Sequence, residues 1–225
     1  ELIDSELPSV GIDFEVTGPC AGWVSVDNRL AAREMADYLF SLGHREFMVI
    51  AGKRTAMVNE ERLLGVRDAY AARGAQLPEQ RVVYCDFSEE IAREQVAALL
   101  QAPEGRQSTA WLCFSDLMAI GAISALTAGG YSVPRDATVT GFDDLPIAAF
   151  TAPPLTTIHQ DMRQIGFESA ALLHRMMKEK QPGSHQLVAH QLIARGSGLP
   201  RAGQAGAASK GSTQGPASTA RRCEG

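Results

Sequence analysis

The sequence predicts an α/β protein built on a doubly wound parallel sheet, and three features predict it. Short apolar runs alternate with segments of helical period over more than half of the chain, and each parallel crossover needs a connection of about a dozen residues. The run Phe47-Met48-Val49-Ile50-Ala51 lacks polar alternation, the pattern of a strand covered on both faces. The strand around Val139-Thr140 ends in Gly141-Phe142-Asp143-Asp144, which sets two carboxylates just past its carboxyl end, where open α/β sheets bind ligands.

Leu7 to Asp13 reads as a short strand closed by a Gly18-Pro19 turn, and Trp23 to Val26 as a second strand. From Asp27 or Asn28, either a good N-cap, a helix runs to Leu42 with Ala32, Met35, Ala36 and Leu39 on its inner face and Gly43 as its stop. After the Phe47–Ala51 strand, Asn59 is the expected cap of a helix with Glu60 and Glu61 in its first turn, an inner face of Leu63, Val66 and Tyr70, and an end at Gly74. Val82 to Cys85 is the next strand, and Ser88 caps a helix carrying Glu89, Glu90, Ala92, Val96 and Leu99. Thr109 to Phe114 is a strand, followed by a helix from about Asp116 to Ala128 that ends at Gly129-Gly130.

Beyond the Gly-Phe-Asp-Asp turn, Pro146 fits the first turn of a short helix, Pro153-Pro154 forbids its continuation, and Leu155 to Ile158 resumes as extended chain. A helix from roughly Met162 to Lys180 carries Ile165, Leu172, Leu173, Met176 and Met177, a face broader than a surface helix needs. Leu187 to Ala194 reads as one last strand, and Arg195-Gly196-Ser197 ends the ordered pattern. From Leu199 on, Gly, Ala, Ser, Thr and Gln dominate, and such a tail cannot offset the entropy of ordering.

Composition narrows the function classes. Hydrophobic residues at 45% and charged residues at 21% are those of a soluble globular domain long enough to bury a core. A formal net charge of -5 argues against wrapping a phosphate backbone over a large surface. No window has the apolar length of a membrane span, and the N-terminal residues show no basic-then-apolar signal pattern. Cys20, Cys85, Cys113 and Cys223 show no paired spacing, which suits reduced thiols and a cytoplasmic location. There is no Gly-x-Ser-x-Gly elbow, Gly52-Lys53 lacks the rest of a phosphate loop, and the five histidines include no pair at metal-ligand spacing. Neither an enzyme, a metal site nor a cofactor is expected.

An ordered series of motifs then reads together: Val26-Asp27-Asn28, Ser41-Leu42-Gly43-His44-Arg45, Ala51-Gly52-Lys53, Glu61-Arg62-Leu63-Leu64-Gly65, Ser115-Asp116-Leu117-Met118-Ala119-Ile120-Gly121 and Val133-Pro134-Arg135-Asp136. With Gly-Phe-Asp-Asp, Pro153-Pro154-Leu155-Thr156-Thr157-Ile158 and Arg195-Gly196-Ser197, the stretch from Leu7 to Ser197 resembles the effector-binding part of the lactose/galactose repressor (LacI/GalR) family of bacterial transcription regulators. The resemblance implies a periplasmic-binding-protein-like fold, two α/β lobes joined by three crossover strands, with one lobe nearly complete and the other partial. By resemblance, residues 1–26 and 159–187 belong to the partial lobe, residues 27–158 and 188–198 to the effector-binding lobe, and residues 199–225 form a disordered tail. The crossovers are expected near Val24 to Val26, Thr157 to Gln160, and Leu187. The family's DNA-reading helix-turn-helix does not precede Glu1, so the chain is expected to be a fragment or the product of a degenerate gene.

The resemblance also implies a site. Asp143 would accept hydrogen bonds from ligand hydroxyls, while Asp144 is the expected turn and cap residue. Arg62, read as lying in the first turn of its helix against the macrodipole, would grip vicinal hydroxyls or a carboxylate; the alternative is a surface pair with Glu61. Ser115 stands where the family usually has a ligand-contacting asparagine, and helix capping explains it equally well. Phe87 either stacks on the ligand or packs in the core. Gln160 on a crossover and Asp13 past the first strand complete the set, and His44 is assigned to the end of its helix.

The function implied is the ligand-sensing, homodimeric part of a regulator that answers to a sugar-like small molecule, touching operator DNA only through the absent head and no membrane. The rivals are a transport sugar-binding protein of the same fold and a non-functional remnant.

Overall fold

The computed structural model describes residues 7–16, 18, 20–179 and 182–200. Pro19 of the first expected turn and residues 201–225 of the expected tail lie outside them. The strands are β1 (Ser9–Ile12), β2 (Ala21–Val26), β3 (Met48–Ala51), β4 (Val82–Tyr84), β5 (Ala110–Cys113), β6 (Thr138–Thr140), β7 (Thr157–Gln160), β8 (His185–Val188) and β9 (His190–Ile193). The helices are α1 (Asn28–Ser41), α2 (Met57–Ala71), α3 (Glu89–Leu99), α4 (Pro103–Gln107), α5 (Asp116–Ala128) and α6 (Met162–Glu179).

Four strands form the doubly wound parallel sheet in the order β4-β3-β5-β6. All four residues of β3 and of β5 are buried, as unalternating apolar strands require, and each fully buried Val, Ile or Leu contributes about 1.5–3 kcal/mol. The crossovers reverse direction across β3, so right-handed connections put α1 and α2 together on one face and α3 and α5 on the other. β1, β2 and β8 form a second parallel sheet, in the order β1-β2-β8, and α6 packs against it.

The chain passes between the sheets three times. β2 ends the small sheet at Val26, and α1 begins at Asn28 over the large one. β7 runs beside the end of β6 through parallel bridges at Thr140–Thr156 and Asp143–His159, then leads into α6. The last expected strand is in fact two: β8 pairs with β2, while β9 pairs antiparallel with β7. Ala189 is the break, because the chain there leaves one sheet's plane for the other.

Local chemistry explains most boundaries and corrects some. Asp27 accepts from Leu30 N (2.8 Å), Ser88 from Ile91 N and Ser115 from Met118 N, so three helices start at side-chain caps. Asn59 does not cap α2, which begins two residues earlier at Met57. Asn59 is fully buried and accepts from Gly52 N (2.6 Å), tying the helix to the end of β3. α6 has a narrower stripe than expected: Ile165, Ser169, Leu172 and Met176 are buried, and Met177 is exposed, since a three-stranded sheet offers one helix little width. The short α4 escaped the sequence reading; five residues carry too little period to register. His44 reaches further than its helix end: its ring bonds Thr109 Oγ1 (2.8 Å) and the carbonyl of Leu199 (3.1 Å). Thr138 also holds Leu199, so the ordered chain runs past Ser197.

Two glycines set the helix packing. A Cβ on Gly65 of α2 would fall 2.1 Å from the Arg29 carbonyl oxygen of α1, and one on Gly121 of α5 would fall 2.3 Å from the Glu89 carbonyl oxygen of α3. Both obstacles are backbone. Gly65→Val is therefore expected to lower stability by about 1–3 kcal/mol through overpacking, read as a lower urea midpoint; an unchanged midpoint would mean that α1 and α2 can part without loss.

Candidate ligand-binding cleft

The large sheet is parallel, so the carboxyl ends of its strands share one edge, and Phe87, Gly52, Ser115 and Asp143 follow β4, β3, β5 and β6 along it. Among the described residues, five that are not glycine have a positive φ: Asp13 (51°), Asp86 (52°), Phe87 (60°), Asp143 (114°) and Asp144 (56°). All follow the ends of β1, β4 and β6. Such conformations cost of order 1–3 kcal/mol each and concentrate where a side chain must be aimed.

Arg62 is the centre of the arrangement. It lies in the second turn of α2, not the first, and is 3% exposed, which excludes the surface pair with Glu61. Its Nε donates to Asn28 Oδ1 (2.8 Å), one terminal nitrogen donates to the Phe114 carbonyl, and the guanidinium lies 3.6 Å from the centre of the Phe142 ring. The other terminal nitrogen stands 4.0 Å from Asp143 Oδ1. Burial lowers the Arg62 pKa, and the negative charges of Asp143, Asp13, Glu61 and Asp116 oppose that shift.

Asp143 accepts from Gln160 Nε2 (2.8 Å), which couples the end of β6 to crossover strand β7. Burial raises its pKa to about 6, against the pull of Arg62. Asp13 is raised by burial as well, again with Arg62 opposing. Two acceptors in this group, Asp13 Oδ1 and Gln160 Oε1, are buried without a hydrogen-bond partner, a state that costs about 1–3 kcal/mol per group until a donor arrives. Arg62, Asp143, Gln160 and Asp13 are thus brought together.

Ser115 and Phe87 are not drawn into that group. Ser115 Oγ is occupied as the cap of α5. Phe87 stands three strand spacings from β6, about 14 Å, with its ring laid on Gly52; a Cβ at Gly52 would fall 2.0 Å from Phe87 Cζ. Asp144 is not a cap. It pairs with Arg195 (2.6 Å) and His159 (2.9 Å), and Asp116 holds the turn that follows, accepting from Leu145 N (2.7 Å) and Thr157 Oγ1 (2.6 Å).

A cavity of about 220 Å³ opens between the small sheet and the starts of α1 and α2. Asp13, Ser25, Asn28 and Glu61 supply its polar lining, and the Trp23 ring, stacked on His185 at 4.3 Å, supplies a flat wall. Asn28 lines the cavity from the front while Arg62 holds its amide oxygen. Trp23, His185, Asn28 and Asp116 were missed in the sequence. In the sequence Asn28 and Asp116 show only as helix starts, and the Trp23–His185 stack depends on the register of β2 with β8 across the chain.

Asp116 is fully buried and, through burial, has its pKa raised to about 6 from 3.8. A raised carboxyl pKa means the folded chain holds the proton more tightly than the unfolded one. That stabilisation is complete below 3.8 and is lost as pH rises through about 6. Asp116→Asn cannot titrate, so it is expected to gain about 1–3 kcal/mol on the parent protein between pH 4 and pH 7. Urea unfolding across that range measures it, and parallel profiles would contradict the assignment.

Among the described residues, no helix is long and apolar enough to cross a membrane, and no group of three or more His, Cys, Asp or Glu could hold a metal ion.

Comparison with known proteins gives a consistent answer. Residues 36–198 match the family described as the periplasmic binding protein-like domain. The transcriptional repressor CytR of Escherichia coli K12 is 36% identical over 175 residues, covering 77% of this chain and 51% of that protein. The repressor PurR of Aliivibrio fischeri MJ11 is 32% identical over 178 residues, 79% of this chain and 52% of its own length. The chain spans about half the length of these curated relatives. Among solved structures, a putative LacI transcriptional regulator from Bacillus cereus subsp. cytotoxis superposes with a TM-score of 0.80 at 29% identity, over 86% of this chain and 69% of that one. A complex of the transcriptional regulator CelR with cellobiose gives 0.78 at 30%, over 84% and 58%. Fold, motif order and relatives agree: this chain belongs to the periplasmic binding protein-like domain family, in the form carried by LacI-family transcriptional regulators.

Proposed function

We propose that this chain is the effector-sensing and dimerising portion of a LacI-type transcriptional regulator, acting in the cytoplasm on a small polar, sugar-like ligand. The observation that carries the reading is the convergence of Arg62, Asp143, Gln160 and Asp13 where the chain crosses between its two sheets, with two buried acceptors lacking donors. In this reading residues 27–158 with 188–198 form one lobe, and residues 1–26 with 159–187 form part of the other. A ligand bridging Asp13 of one and Asp143 of the other favours one relative orientation, and it shifts the two-state equilibrium by its differential affinity. In the whole regulator that shift would reach operator affinity by linkage. The cellobiose complex of CelR supports a saccharide-sized ligand.

Thermal melts of the 225-residue chain with a panel of sugars and nucleosides test the reading. A ligand at 100 times its Kd is expected to add about 2.7 kcal/mol by mass action. Melts unmoved by every compound would favour a remnant without sensing function. In gel shifts the chain alone is expected to leave operator DNA unbound, because no described element supplies a basic reading helix, and salt-resistant specific binding would contradict this.

The exposed apolar side chains Leu117 (42%), Ile147 (53%) and Phe150 (86%) offer the dimer face. Asp116 ties the loop before Ile147 to the start of α5, which keeps the three at one end of the molecule. Phe150→Glu is expected to weaken self-association at least tenfold in sedimentation equilibrium, since an interfacial charge must be desolvated; unchanged association would remove this face from the proposal.

A further inference from the structure

We infer that the cleft selects a ligand that is neutral or amine-bearing and rich in hydrogen-bond donors, and that it rejects phosphorylated and carboxylated compounds. The inference rests on the sensing role proposed above and narrows its ligand class.

The argument is a charge and donor inventory. Four carboxylates, Asp143, Asp13, Glu61 and Asp116, interact with the single guanidinium of Arg62. Two nitrogens of that guanidinium are committed to Asn28 and the Phe114 carbonyl and its face to the Phe142 ring, while the third stands 4.0 Å from the negative charge of Asp143. The arginine that lines the cavity itself, Arg29, is held by Asp68 through two hydrogen bonds of 2.6 and 2.9 Å. In the group around Arg62 the buried atoms lacking partners are both acceptors, Asp13 Oδ1 and Gln160 Oε1. They call for O–H or N–H groups and offer nothing to a phosphate.

Helix starts, the usual anion sites of this architecture, are each met by an acid of the chain itself. Asp27 caps α1, Glu60 lies in the first turn of α2, Glu89 and Glu90 in that of α3, and Asp116 in that of α5. An anion entering the cavity would meet Asp13, Asp27 and Glu61 on its wall, and like charges there repel it. The raised pKa values of Asp13, Glu61, Asp116 and Asp143, for which burial is the first cause, agree with a site short of positive charge.

Calorimetric titration of the full chain at pH 7.5 with matched compounds tests this: ribose with ribose 5-phosphate, glucose with glucosamine, glucose 6-phosphate and gluconate, and adenosine with its monophosphate. In every set that binds, the neutral or amine-bearing member is expected to bind at least roughly 100-fold more tightly than the anionic one. Asp13→Asn, checked for folding by its unliganded melt, is expected to narrow the gap about tenfold by removing one repelling charge. An anionic member that binds equally well or better, and loses its binding in Asp143→Gly, would overturn the charge selection and leave the sensing role standing. Silence from every set would overturn the sensing role, and the inference with it.

Discussion

Replacing Arg62 by methionine is expected to destabilise the chain by about 3–5 kcal/mol and to abolish ligand binding. The substitution keeps an apolar stem of similar length, so little of the loss is packing. What goes is the positive charge that offsets Asp143, Asp13 and Asp116 and the donors that satisfy Asn28 Oδ1 and the Phe114 carbonyl. Breaking a buried pair from one side leaves its partners charged and unpaired, the most damaging case for an internal ion pair. Lysine is expected to rescue poorly, because one ammonium cannot serve the amide, the carbonyl and the Phe142 ring from one plane. Urea unfolding reads the stability loss; a variant within 1 kcal/mol of the parent would contradict this account of the site.

The second large effect separates binding from stability. Asp143→Gly is expected to leave the unliganded chain within about 1 kcal/mol of the parent while weakening ligand binding about 100-fold. At φ 114° aspartate is strained and glycine is not, and the partly buried carboxyl, its pKa raised to about 6, adds a desolvation cost that disappears with it. Against these gains stand the hydrogen bond from Gln160 and the attraction of Arg62. The ligand loses its charged acceptor outright, and hydrogen bonds to charged groups are worth about 1.5–3 kcal/mol each. A fall in stability that matches the fall in affinity would show that Asp143 is structural.

Much of this architecture was legible in the sequence, for physical reasons that differ by element. Phe47 to Ala51 declared a two-sided strand because burial on both faces removes alternation, and Ser88 and Ser115 announced helix starts because a cap is a local bond. The ends of β1 and β6 could be placed, so Asp13 and Asp143 could be nominated. What escaped depends on contacts between distant segments. The division of the last strand at Ala189 follows from two different partner strands, β2 and β7, neither of which a local pattern names. Trp23 becomes a wall only because register sets His185 beside it. Phe87 reads as a stacking residue or a core residue, and its ring lies on Gly52, a contact decided by strand order. The sequence places Arg62 one helical turn too early because Asn59 resembles a cap; the buried carboxamide of Asn59 instead holds the end of β3.

The central claim is that a small polar ligand sits between the two sheets, bridging Asp13 and Asp143 beside Arg62. A crystal structure of the chain with the most stabilising compound from the panel tests it most directly. The account predicts ligand donors within hydrogen-bond distance of Asp13 Oδ1, Gln160 Oε1 and the Asp143 carboxylate. A ligand seated elsewhere, for example in the groove of Arg93, Arg106 and Tyr131 between α3 and α5, with those three acceptors untouched, would contradict it.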